Sequence, residues 1–131
     1  WKPFAEKACK TLISERIKLL KHGQKNAIGN ILNPLRASCV GFLDTQHSQN
    51  QYLNEANTCI RYLRDFLEIP QIKDLMQWNT VCKEPDDQYL KQAFSFSVNL
   101  MKLSCCAINT ENDVNNLITL IDTTYIIYNK L

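Results

Sequence analysis

Thiols carry most of the chemistry available to this sequence. Cys9, Cys39, Cys59, Cys82, Cys105 and Cys106 make six in a chain of 131 residues. Such a set could bind metal, attack a substrate or pair as disulfides, and spacing separates these uses. No Cys-x-x-Cys pair occurs, and His22 and His47 are the only histidines. Neither histidine lies in an HxxxH pair or beside cysteines at ligand spacing, so no metal centre is expected. An even count of cysteines in a short chain, with so little histidine, reads as a disulfide framework made in an oxidising compartment.

Catalytic patterns are equally sparse. Three glycines barely allow a nucleophile elbow or a phosphate-cradling loop, and neither motif is present. Asp86-Asp87 is a paired-carboxylate candidate, but two acids at a helix start are what the helix dipole attracts. Cys105-Cys106 is followed by no His-Asp that could supply a base and a metal ligand, which sets it apart from phospholipases. On a helix, adjacent cysteines would point roughly 100° apart. That suits a structural hub tying one helix to two neighbours. The sequence therefore reads as non-enzymatic, with no cofactor.

Composition narrows the class further. Hydrophobic residues make up 45% of the chain, enough for a buried core. Three Gly and four Pro favour helices over a turn-rich β domain. The net charge of +2 arises from 15 basic and 13 acidic residues spread along the chain, which gives no basic face for nucleic acid. No apolar run approaches the ~20 residues of a membrane span. The start at Trp1 without Met, and the lack of any Asn-x-Ser/Thr sequon, fit an expected mature secreted chain without N-glycosylation.

The elements that must position these residues are amphipathic helices. Residues 3–22 form a first expected helix, with Lys21, His22 and Gly23 at its end. Residues 25–32 are ambiguous, and Pro34 is read as opening a short helix through Leu43. Ser48 and Gln51 give a capping-box signature before a stripe of Tyr52, Ala56, Cys59, Ile60, Leu63, Phe66 and Leu67, which Pro70 ends. A shorter segment covers residues 71–82. Pro85 and Asp86 open a helix to about Ala107, with Leu90, Ala93, Phe94, Leu100, Met101 and Leu103 inward. Thr110 and Asp113 start the last one, which carries Val114, Leu117, Ile118, Ile121, Tyr125 and Tyr128. The expectation is a single all-α domain over residues 1–131, a disulfide-stapled bundle of five to six helices. Trp78, Tyr89, Phe94 and Phe96 are read as core before pocket. The Tyr125-Ile126-Ile127-Tyr128 run leaves apolar side chains around most of the last helix.

A repeat overlies this pattern. Gln51-Tyr52-Leu53 is matched by Gln88-Tyr89-Leu90, and the same offset pairs Ala56 with Ala93 and Leu63 with Leu100. Cysteines flank both stretches, which outlines two possible units at residues 39–67 and 82–106. Six cysteines permit 15 pairings. If each unit is stapled alike, Cys39 pairs with Cys59, Cys82 with Cys105 or Cys106, and the remaining one of the two takes Cys9.

The order Cys39, Tyr52, Cys59 followed by Cys82, Tyr89, Cys105 resembles the two Cys–Tyr–Cys motifs of the aphid BICYCLE effectors, secreted salivary-gland proteins. The resemblance covers residues 39–106, with unequal intervals in the two halves. It implies a secreted, extracellular protein delivered into plants, with a host protein as partner and a link to gall formation. The Cys-x3-Cys of insect odorant-binding proteins is absent. The functional expectation is a non-enzymatic secreted effector acting on a host macromolecule. A helical cytokine-like receptor ligand and a carrier of a small apolar ligand are the alternatives.

Overall fold

Helix α1 (Lys25–Asp44) buries Ile28, Leu32, Leu35 and Cys39, a stripe at three- and four-residue spacing. In the computed structural model, which describes residues 25–70, 72–73 and 88–130, this is one continuous helix with Pro34 inside it. The expected short helix from Pro34 to Leu43 is thus the second half of a longer one. Pro34 removes a single N–H donor, and both it and Asn30, whose carbonyl loses its i+4 partner, are exposed. The buried stripe runs unbroken past them and holds the two halves in register.

Helix α2 (Gln49–Leu67) buries Ala56, Cys59, Ile60, Leu63 and Phe66, as its spacing predicts. Ser48 occupies the N-cap position, but its side chain makes no capping hydrogen bond. Gln51 turns forward to Glu55 instead of back to Ser48, so the expected capping box is not formed. At the other end the Glu68 and Ile69 amides bond back to Asp65 and Phe66. Pro70 then starts a new turn, in which Ile72 and Lys73 both donate to the Ile69 carbonyl. That is the helical position where a missing N–H costs nothing.

Helix α3 (Gln88–Ser104) turns Phe96, Leu100 and Leu103 inward, with Phe94 and Met101 half-buried. Helix α4 (Glu111–Lys130) begins at a reciprocal cap. The Asp113 amide donates to Thr110 Oγ1 at 3.2 Å, and Asp113 Oδ2 accepts from the Asn109 and Thr110 amides at 2.9 Å each. These bonds hold the Asp113 carboxyl below its ordinary pKa. Val114, Leu117, Ile121 and Tyr128 are buried, while Ile118 and Tyr125 are half-buried.

Residues 45–48 turn α1 back along α2, and residues 105–110 turn α3 back along α4. The Phe96 and Tyr128 rings stack at 5.3 Å between α3 and α4. Arg36 pairs with Asp122 at 2.8 Å, and the Tyr125 hydroxyl donates to Asn33. These two contacts step in opposite directions along α1 and α4, so those helices are antiparallel as well. Each helix packs on two neighbours in the cyclic order α1–α2–α3–α4, and among the described residues the diagonal helices have no close backbone approach. The described residues thus form an up-down-up-down bundle of four helices without strands, where five to six helices were expected of the whole chain. Leu32, Leu35, Ile60, Leu63, Leu100, Leu103, Leu117 and Ile121 from all four helices fill its centre. Leu63 and Leu100, matched in the repeat, are both fully buried.

The cysteines depart from the expected staples. Cys39, Cys59, Cys105 and Cys106 are free thiols, so the Cys39–Cys59 bridge is not formed and no disulfide occurs among the described residues. Cys9 and Cys82 lie outside those residues, as do the helix expected over 3–22, most of the segment 71–82, and His22, Trp78 and Asp86-Asp87. Cys105 and Cys106 follow the last residue of α3 and sit in the turn rather than on a helix. Their divergence therefore comes from the turn: Cys105 is exposed beside Ser104, while half-buried Cys106 donates to the Lys102 carbonyl.

Candidate binding groove

The α1–α2 hairpin carries an open groove of about 630 Å³. Pro34 and Ser38 line it from α1, and Gln51, Asn54, Glu55, Thr58 and Cys59 from α2. The α2 residues share a face because they fall at three- and four-residue intervals. Tyr62, one turn beyond Thr58, continues that face with 58% of its surface exposed. Only Ile126 is comparably exposed among the large apolar residues described.

Glu55 is the centre of the groove. Ser38 Oγ donates to one of its carboxylate oxygens and Gln51 Nε2 to the other, each at 3.4 Å. Thr58 Oγ1 donates to the Asn54 carbonyl at 2.8 Å and receives Arg61 Nη2 at 3.4 Å. Arg36 points the other way, toward Asp122 on α4. The lining residues thus include one carboxylate and no cationic residue, with the Arg61 guanidinium resting on Thr58 at their edge.

The hairpin register comes from tight packing above the groove. A Cβ placed on Gly41 would lie 2.7 Å from Cδ1 and Cζ of Tyr52 and closer still to Cε1. Glycine is what lets the Tyr52 ring lie against α1. Tyr52 is therefore a packing residue of the hairpin; the Tyr89 side chain lies outside the description.

Cys39 and Cys59 lie behind and at the edge of the groove. Cys39 follows Ser38 into the core, whereas Cys59, one turn beyond Glu55, lines the groove. Burial, then the neighbouring Cys59 and Cys106 thiols, pushes the Cys39 thiol up to about 11. Burial and the Glu55 charge raise Cys59, and burial followed by Cys105 and Asp113 raises Cys106. The fold thus brings Cys59 and Cys106 within electrostatic reach of Cys39, all three as poor nucleophiles.

His47 sits in the exposed turn before Ser48, its amide donating to Thr45. No group of His, Cys, Asp or Glu among the described residues is placed to hold a metal ion. No described helix is long and apolar enough to cross a membrane. Sequence reasoning singled out Cys39, Cys59 and Tyr52 but missed Ser38, Asn54, Glu55, Thr58 and Tyr62. The shared spacing of the last four along α2 was the available signal, and Ser38 on α1 had none. Compared with known proteins, the chain matches no family model, no curated protein and no solved structure.

Proposed function

We propose that this is a secreted, non-enzymatic binding protein that engages a host macromolecule through the α1–α2 groove and Tyr62. The observation that carries the reading is an exposed aromatic ring, Tyr62, continuing the face of an open groove that holds the Glu55 carboxylate. Tyrosines beside desolvatable polar groups are favoured anchors of protein interfaces. The resemblance of the Cys–Tyr–Cys order to salivary effectors supports the secreted part. Alternating helix directions differ from the up-up-down-down order of growth-hormone-type bundles, so the cytokine-like reading draws no support from this topology. A carrier would enclose its ligand, and this groove is open.

In an oxidising compartment Cys39 and Cys59, neighbouring thiols on α1 and α2, are expected to bridge the two helices in the manner of the repeat. Non-reducing peptide mapping of secreted material should show that link. The binding role is tested by immobilising the protein and presenting plant-leaf extract, with Tyr62→Ala and Glu55→Arg alongside. A partner held by the wild type and lost from both variants supports the reading. A partner held equally by all three removes it.

A further inference from the structure

We propose that the α1–α2 groove recognises a basic side chain, a lysine ammonium or an arginine guanidinium, of a partner polypeptide, with Glu55 as its counter-charge. This deepens the binding role proposed above and rests on it. The argument begins with the state of Glu55. Its two oxygens receive only the neutral donors Ser38 and Gln51, at 3.4 Å each. Contacts of that length position a carboxylate without saturating it, since its two oxygens offer about four acceptor sites. The side chain is therefore aimed and still free to accept.

Around it the groove presents further acceptors, and its nearest cation, Arg61, is held on Thr58 rather than on Glu55. The Gln51 and Asn54 side-chain amides and the Ser38 hydroxyl supply oxygens beside it. Arg61 rests its guanidinium on Thr58 Oγ1 at 3.4 Å, at the far end of the groove, and makes no ion pair with Glu55. Arg36 is committed to Asp122. A donor-rich cationic head group fits this set, because each N–H finds an oxygen and its charge finds a carboxylate. An anionic group would face Glu55 directly. A purely apolar one would strip water from Glu55, Ser38 and Asn54 with nothing in exchange.

The test is an amide-resolved NMR titration of the protein with three blocked tripeptides, Ac-Ala-Lys-Ala-amide, Ac-Ala-Arg-Ala-amide and Ac-Ala-Glu-Ala-amide. The lysine and arginine peptides should perturb Ser38, Gln51, Glu55 and Thr58, and the glutamate peptide should not. Glu55→Gln, a neutral isostere at an exposed position, should weaken the response severalfold. Thr58→Lys should abolish it while leaving the remaining amide spectrum in place. Equal response to all three peptides, preference for the acidic one, or no response localised to the groove would overturn the proposal. If the peptides fail while Glu55→Arg and Tyr62→Ala still lose the host partner, the ligand class is wrong and the binding role stands.

Discussion

Replacing Gly41 by alanine should destabilise this protein only because Tyr52 is there. In a helix interior, glycine to alanine ordinarily gains about 1 kcal/mol through backbone entropy. Here the new methyl group would lie 2.7 Å from two atoms of the Tyr52 ring, well inside contact distance. The ring must leave its seat, and overpacking of this kind costs about 1–3 kcal/mol. The net expectation for Gly41→Ala is a loss of about 1 kcal/mol. In a Tyr52→Ala background the obstacle is gone, and the same change should gain roughly 0.5–1 kcal/mol. The coupling between the sites is then about 2 kcal/mol, readable from urea unfolding of the four proteins of the double-mutant cycle. Equal gains in both backgrounds would show that the ring does not rest on Gly41, and the hairpin register argued from it would fail.

Thiol labelling should follow burial and acidity: exposed Cys105 reacts before Cys39, and Cys39 becomes reactive only as pH approaches about 11, read by mass mapping of the labelled peptides. Because the Cys39 thiol titrates higher in the fold than its ordinary 9.0, that group supports stability below about pH 9 and loses the contribution as pH rises toward about 11. Asp113 works in the opposite direction: its lowered pKa adds stability above the ordinary aspartate value of about 3.9 that disappears as pH falls through the lower folded value. Asp113→Ala should flatten the acid limb of the melting temperature against pH, and an unchanged limb would contradict the cap. The Tyr128 hydroxyl is buried without a hydrogen-bond partner, so Tyr128→Phe should hold or raise stability, by up to about 1 kcal/mol in denaturant unfolding.

Local signals were legible wherever one helix face settled the matter. The stripe from Ala56 to Phe66 and the pair Thr110 and Asp113 mark α2 and the start of α4 because the physics there is confined to a few turns. Phe96, read as core before pocket, is core, stacked on Tyr128. Pro34 misled for the opposite reason. Its local preference for a helix start is outweighed by burial of Ile28 and Leu32 on one side of it and Leu35 and Cys39 on the other. Buried Ser97, Ser104 and Thr124 broke the apolar pattern, yet each hydroxyl returns its hydrogen to a carbonyl on its own helix.

The groove was harder to read, because an apolar-stripe search looks at the inward faces. Ser38 and Glu55 meet only through the α1–α2 register, which depends on Gly41 accepting the Tyr52 ring. Neither glycine nor tyrosine announces that contact in sequence. The cysteine order gave Cys39 and Cys59 as partners, and the fold places both beside the α1–α2 contact as free thiols.

The most direct test of the binding role is photo-crosslinking from the groove itself. A photoreactive residue at Thr58, irradiated in plant-leaf extract, should give a discrete adduct that excess Ac-Ala-Lys-Ala-amide displaces and that Glu55→Arg prevents. The same probe at Asn129 on α4 should give none. An adduct that is indifferent to Glu55→Arg, or that forms equally from Asn129, would contradict a function located in the α1–α2 groove.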